Sequence, residues 1–395
     1  MVKTRPTSMF REQEVDLITG GCGYVGTNLA RALLAEGHKV VLFDLQKPLE
    51  DINDENIAFI QGDIRNLSEV NKAVNDVTTV YHLASYGMSG REQLNKKLIE
   101  EVNVLGTENV IKACIQHNVE HLVYTSTYNV VFGGQVIENG DETLPYLPMD
   151  KHSDHYSKTK SIAEQSVLYR NGAILENGLK LHTCALRLAG VYGPGEQRHL
   201  PRIMNYIERG YFSMIYGADK TLVDFLHVDN LVQAHVLAGK GLTSQRDHIA
   251  QGQAYFISDD KPVNNFLFFK PMVEGLGYTY PKLRVPLGLV YFVAFLTELI
   301  HRVLGKFYNF QPLLTRTEVY KTGVTHYFNM AKAKQHLGYE PTVQNDLSKV
   351  IEHFKGQGRE KPPKKKQSKL MRFVVDIILA FLFASILISF LPRVS

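Results

Sequence analysis

Three observations predict an α/β fold: a doubly wound parallel sheet, a smaller C-terminal lobe and a C-terminal transmembrane helix. Strand-like apolar runs alternate with helical stretches over the first half of the chain, which demands crossover connections and hence parallel strands. A run of glycines separates the first strand from the first helix. The stretch 373–391 is predominantly apolar with Asp376 as its only charge; at roughly 1.5 Å per residue it spans about 28 Å, close to the hydrocarbon thickness of a bilayer. The 395 residues, 44% apolar and 21% charged, exclude collagen-like, mucin-like and wholly disordered chains. Three scattered cysteines, Cys22, Cys114 and Cys184, exclude a disulfide framework and a zinc ribbon.

Taken in order, 15–19 is a short apolar run stopped by Gly20, and 24–36 has helical spacing closed by Gly37. The second strand, 39–43, ends on Asp44. Further strands are predicted at 57–60, 79–83, 121–125 and 182–186, with helices over 93–117 and 157–169. Past Val191 the alternation decays into Gly- and Pro-punctuated segments, and strand character returns only at 225–228 and 254–257. Residues 14–190 therefore form mainly the sheet domain and 191–354 mainly a lobe over its C-terminal edge, with returns to the sheet. A basic linker, 355–372, and the anchor, 373–391, follow.

Charge is uneven. Eight Lys or Arg stand against Glu360 in 355–372, a local +7 that leaves −3 on residues 1–354. A nucleic-acid binder carries positive charge on its folded body, so nucleic acid is excluded as a partner. The cations beside the apolar tail should stay cytosolic, and the polar first fourteen residues do not read as a secretory leader. The expected location is a membrane, that of the endoplasmic reticulum, with the body facing the cytosol. Within a second apolar stretch, 285–304, the uncharged run 285–297 ahead of Glu298 is too short to span; it reads as a helix lying on or dipping into the bilayer, with a buried core helix as the alternative.

The motif Gly20-Gly21-Cys22-Gly23-Tyr24-Val25-Gly26 puts Gly20, Gly23 and Gly26 between strand and helix, where backbone amides at a helix N-terminus can receive a pyrophosphate. Tyr24 and Val25 share that loop. Asp44 stands at the end of the second strand, where its carboxylate can accept two ribose hydroxyls and would repel a 2′-phosphate, which favours NAD over NADP. Tyr156 and Lys160 are four apart at the start of a helix, hence on one face. A cation beside a phenol lowers its pKa toward working pH and makes Tyr156 a usable base. Thr125-Ser126-Thr127 adds hydroxyls that could hydrogen-bond a reacting oxygen. No metal-ligand spacing is present, and no metal is expected.

With Gly62-Asp63-Ile64, His82-Leu83-Ala84-Ser85, Asn103-Val104-Leu105-Gly106-Thr107, Tyr192-Gly193-Pro194-Gly195 and Asp224-Phe225-Leu226-His227-Val228-Asp229, the chain resembles an extended short-chain dehydrogenase/reductase of the 3β-hydroxysteroid dehydrogenase branch over roughly residues 14–350. The segments 84–91 and 309–316 are similar to its 42E family. The resemblance implies an NAD(P)-binding Rossmann-type fold. It implies that Tyr156 transfers the proton, that Lys160 binds the nicotinamide ribose and that Thr127 fills the third catalytic position, usually Ser. Asp63 and Ile64 fall where the family contacts adenine, and Ala84 and Ser85 where the chain passes the cofactor. Leu188 departs from the Pro that usually follows Arg187.

The expected function is NAD-dependent oxidation of a lipophilic alcohol, a 3β-hydroxysteroid or sterol by the resemblance, or the reverse reaction. An anchor places the pocket beside a substrate that partitions into lipid, and the bilayer is the second partner. A homodimer is left open against a monomer. The alternatives are a nucleotide-sugar epimerase or dehydratase, opposed by Val223 where such enzymes commonly carry Arg and by Thr127-Tyr128-Asn129 without an Asp-Glu pair, and a non-catalytic NAD-binding membrane scaffold.

Overall fold

The computed structural model describes residues 14–48, 54–88, 90–304 and 314–362. The expected anchor, 373–391, lies outside the described residues, and among the described residues no helix is long and apolar enough to cross a membrane.

The first half follows the predicted alternation: β1 Val15–Thr19, α1 Tyr24–Ala35, β2 Lys39–Asp44, β3 Ile57–Gln61, α2 Leu67–Ala73 and β4 Thr79–His82. The stretch predicted as one helix over 93–117 is α3 Lys96–Glu100, a π-helical turn Glu101–Gly106, and α4 Thr107–Gln116. Then come β5 His121–Thr127, β6 Ile137–Gly140, α5 His155–Tyr169, β7 His182–Leu188 and β8 Gly190–Tyr192. The second half contains α6 His199–Glu208, β9 Met214–Tyr216, β10 Phe225–His227, α7 Val228–Gly241, β11 Gln253–Ile257, α8 Asn265–Gly275, β12 Leu283–Val285, α9 Leu287–Leu304, α10 Arg316–Gly323, β13 His326–Phe328, α11 Ala331–Leu337 and α12 Ser348–Gly356.

Seven strands form one parallel sheet in the order β11-β7-β5-β4-β1-β2-β3. Both faces are covered, as the strands' near-continuous apolar character requires. One core joins β1, β7 and β11 to α1, α7 and α11, and a second joins the opposite face to α2, α4 and α5. Chain reversal at β1 places the topological switch between β1 and β4, at the strands' C-terminal ends, where open sheets of this kind bind ligands.

The lobe is stitched by short pairs, β8 with β10, β9 with β12 and β6 with β13, around an aromatic core in which Phe225 stacks on Phe268 at 3.6 Å and Tyr192 meets Phe268 edge-on at 4.9 Å. Residues 355–361, assigned by sequence to the linker, are tied to this lobe: Arg359 pairs with Glu208 at 2.7 Å, and the Lys361 amide donates to the Leu276 carbonyl at 2.9 Å.

Helix α9 corrects the core-helix alternative for 285–304. Ala294 is buried against Ile215, Tyr216, Phe266 and Val319, but Leu289, Phe292, Val293, Phe295, Leu296, Leu299 and Ile300 are exposed.

Candidate active site

The C-terminal ends of β1, β2, β4, β5 and β7 line up in register, with Thr19 opposite Phe43 and His82, and Thr127 opposite Leu188. On this edge the glycine loop turns into α1. Gly23 is the N-cap, and no side chain caps the helix, so its first-turn amides are available to an anion. A Cβ on Gly26 would lie 2.5 Å from the Gly20 carbonyl oxygen, which explains the third glycine as a close-packing requirement. Asp44 accepts from the Cys22 amide at 3.0 Å and from the Gln46 amide at 3.1 Å. The glycine loop and the carboxylate are thus one hydrogen-bonded unit, and a carboxylate has lone pairs to spare for two ribose hydroxyls. This donor set fits a dinucleotide with a free 2′-hydroxyl.

Behind the loop, the Thr19 hydroxyl is hydrogen-bonded to His82 Nδ1 at 2.7 Å and accepts from the Ala84 amide at 3.2 Å. His82 Nε2 pairs with Thr107 at 2.9 Å. Burial, with Lys160 adding to it, pulls His82 down to about 3, so the ring is a neutral spacer. The π-helical turn aims Asn103 back at this loop: its amide nitrogen donates to the Tyr86 carbonyl at 2.9 Å and to Thr159 at 3.0 Å, and its oxygen accepts from the Tyr86 amide at 2.8 Å. A π turn in a helix often marks a functional site; here it clamps the loop carrying Ala84 and Ser85 onto α5.

Asp63 and Ile64 follow β3. The Asp63 carboxylate is held by Arg65, which also pairs with Glu101 at 3.3 Å, and the Ile64 side chain is in the core. Ala84 abuts Gly20, whose Cβ would fall 3.0 Å from it. Ser85, predicted beside the cofactor, acts on the Tyr156 hydroxyl and lowers its pKa.

Helix α5 starts two residues before its predicted beginning because Asp154 caps it, accepting from the Ser157 amide at 2.7 Å and the Ser157 hydroxyl at 2.9 Å. Tyr156 and Lys160 both lie buried on this helix, but the expected cation-stabilised phenol is corrected in one respect. Burial pushes Tyr156 up to about 12, Asp154 adds to the rise, and Ser85 and Arg198 oppose it. Lys160 instead donates to the Thr125 carbonyl and sits 4.0 Å from the Tyr124 ring centroid. Burial lowers it to about 7 against the pull of Glu164. The Arg198 charge, in the loop before α6, opposes the rise only weakly, and Arg198 is itself paired with Glu92 at 3.2 Å.

Of the three strand-end hydroxyls, two are committed elsewhere. Thr125 is hydrogen-bonded to His235 at 2.8 Å and Ser126 to Glu164. Thr127 remains at the end of β5, its oxygen accepting from the Asn129 side-chain amide at 2.9 Å. Glu164, one turn beyond Lys160, also accepts from Tyr146 at 2.8 Å and from Arg187 at 2.9 Å, forming a fully buried pair under the site. Leu188 lies buried in strand register between Thr127 and Ile257, so the edge is continuous where the family usually has Pro. Sequence reasoning missed Asp154, Asn129 and Arg198. An Asp three residues before Ser157, just ahead of a helix, is an N-cap signature that could have revealed the first; nothing local marks the other two.

The sequence profile described as the 3-beta hydroxysteroid dehydrogenase/isomerase family matches residues 17–287. The chain is 58% identical over 385 residues to the Danio rerio short-chain dehydrogenase/reductase family 42E member 1, covering 97% of this chain and 98% of that one, and 58% identical over 384 residues to the Homo sapiens protein of the same name, covering 96% and 97%. It is 36% identical to the 3 beta-hydroxysteroid dehydrogenase/Delta 5-->4-isomerase of Mycobacterium tuberculosis, over 86% of this chain and 90% of that one. Among solved structures, the UDP-glucose 4-epimerase of Thermus thermophilus in complex with NAD superposes with a TM-score of 0.63 at 22% identity, covering 87% of this chain and 99% of that one; at that identity it speaks for the fold.

Proposed function

Because the chain belongs to the 3-beta hydroxysteroid dehydrogenase/isomerase family and is an NAD-dependent oxidoreductase, we propose that it interconverts a 3β-hydroxyl and a ketone on a steroid or sterol delivered from a bilayer. The observation that carries the chemistry is the buried Tyr156 hydroxyl, whose pKa Ser85 helps to lower, on the helix beside the sheet's C-terminal edge. NAD, when bound, supplies the hydride acceptor. The glycine loop and Asp44 hold its pyrophosphate and adenosine ribose. In reduction the Tyr156 phenol donates its proton to the carbonyl oxygen; in oxidation its phenolate, formed by loss of the phenol proton to solvent, takes the substrate's hydroxyl proton. Thr127 steadies the reacting oxygen, and burial of the site excludes water. Lys160, near neutrality in its own ionisation, serves the ribose side of the site.

Membrane delivery rests on α9, whose exposed apolar side chains make a patch that a soluble surface rarely leaves uncovered, and on the apolar 373–391 with its flanking cations. The reading places the body at the cytosolic face of an endoplasmic-reticulum membrane. Fold alone would also admit a nucleotide-sugar epimerase. Val223, however, is buried, bridged through its backbone to Val263 and packed with the aromatic core, so no guanidinium stands at that place for a diphosphate.

The test is NADH formation by the full chain in nanodiscs, with a panel of 3β-hydroxysteroids set beside 3α-epimers and UDP-sugars. Turnover of 3β-alcohols alone is the expected result. Turnover of UDP-sugars, or indifference to the configuration at C3, would overturn the substrate assignment.

A further inference from the structure

The first turn of α5 is tied to a distant part of the chain. Asp154, 10% exposed, accepts from Lys321 Nζ at 3.2 Å in addition to its two bonds from Ser157. Lys321 belongs to α10, and α10 is fastened to α9: Arg316 pairs with Glu298 at 2.8 Å, the Tyr320 and Tyr291 rings lie 5.0 Å apart, and Gly323 is so close to Leu287 that a Cβ there would fall 2.4 Å from it. One continuous set of contacts therefore runs from the helix with the exposed apolar face, through α10, to the residue two before Tyr156.

We propose that Lys321 is a positioning residue for the reaction, holding Asp154 and the first turn of α5 to the α9–α10 unit so that Tyr156 is presented with its neighbouring carboxylate neutralised. The inference rests on Tyr156 being the proton-transfer group. Tyr156 faces Arg198 and Tyr124 as well as Asp154, Asp154 in turn bears on Tyr128 and His152, and Lys321 bears also on His326. Burial would raise the Asp154 carboxyl, but Lys321 and the Ser157 donors outweigh it and hold it below its ordinary value, so it is anionic through the neutral range. That anion raises Tyr156, and Lys321 is the ion-pair partner on the carboxylate oxygen that can offset it.

The experiment is the pH dependence of kcat/KM for NADH formation from a 3β-hydroxysteroid, with NAD affinity measured in parallel. Lys321→Met should move the acidic limb upward by roughly half a pH unit, about a threefold loss at a fixed pH on that limb, with NAD affinity unchanged and Lys321→Arg close to wild type. Asp154→Asn keeps a side chain that caps helices well and should move the limb the other way. The double variant should return to the wild-type limb, a reversal that loss of packing alone cannot produce. An unmoved limb in Lys321→Met, or two single shifts that fail to cancel, would overturn the inference. If the wild type turns over no steroid, the function reading fails separately. The pair is then read by hydrogen exchange of amides 155–160 in the NAD-bound protein, which Lys321→Met should quicken and Lys321→Arg should not; equal exchange in both and in wild type would overturn the proposal.

Discussion

The sheet domain and the lobe are built by opposite means. In the sheet domain each functional group lies where its own strand ends, so a short stretch of chain makes both the element and the site: β1 delivers Gly20, β2 delivers Asp44 and β5 delivers Thr127. In the lobe the strands are three or four residues long and pair with partners far away in sequence, β9 with β12 and β8 with β10, and the core is aromatic side chains meeting across those distances. The sheet domain holds the cofactor edge by local geometry. The lobe reaches the site through long-range interactions, the Lys321–Asp154 ion pair and the Arg198 charge that opposes the rise of Tyr156.

The comparison is broken most sharply by chemistry. If the proton step belongs to the sheet domain alone, Tyr156→Phe should lose about 10² to 10⁴ in turnover while NAD binds as before, since the glycine loop and Asp44 are untouched. Near wild-type turnover in that variant would move the proton to another group and dissolve the division.

Stability tests whether the two regions are one cooperative unit. Arg187→Met strands the Glu164 charge in the sheet domain, where both partners are fully buried, and should cost about 3 to 5 kcal/mol. Phe268→Ala empties a stacked pair in the lobe and should cost a similar amount, about 3 to 5 kcal/mol. One buried cluster contains Ile18 and Leu29 together with Tyr255, Leu337 and Tyr339, so both variants should lower one shared denaturant transition. A split transition in Phe268→Ala would show the lobe unfolding by itself.

The same contrast decides what was legible in the sequence. Strand and helix positions in the first half follow from glycine, Asp and apolar spacing. Their ends shift for physical reasons that spacing does not carry: β5 and β7 run on to Thr127 and Leu188 because those residues pair with each other, α5 begins early because Asp154 caps it, and the helix at 93–117 is broken by the π turn that aims Asn103 at Tyr86. Tyr156, Lys160 and Thr127 were readable from a motif and a strand end. The direction of the Lys160 ammonium was not, because it is fixed by the Thr125 carbonyl and the Tyr124 ring, on a neighbouring strand.

Cofactor choice gives a smaller effect within the sheet domain. A hydrogen bond to a charged group is worth about 1.5 to 3 kcal/mol, so Asp44→Ala should weaken NAD by about tenfold or more while leaving NADP, which the carboxylate repels, less affected. Calorimetric titration of both cofactors measures the gap, and an unchanged preference would show that NADP is excluded by something other than Asp44.

The smallest effect is confined to the start of the sheet, far from the lobe, and is a matter of pH. His38 is hydrogen-bonded to the buried Asp16 at 2.6 Å. That bond holds the imidazole above its ordinary value against the opposing effect of burial, and burial raises Asp16, with His38 opposing. A folded-state value above the unfolded one means stability that is complete below the unfolded value, about 6.5 for His and about 3.9 for Asp, and is lost as pH rises through the folded value. Both partners therefore act in the same direction. From mildly acid to mildly alkaline pH the wild type should lose thermal stability relative to His38→Gln, whose side chain does not titrate. Buried histidines held low, such as His82 and His235, bias the absolute curve the other way, so the difference between the two proteins is the quantity to follow. A difference that stays flat, or that grows in favour of the wild type as pH rises, would remove the His38–Asp16 pair from the account of what holds the first two strands together.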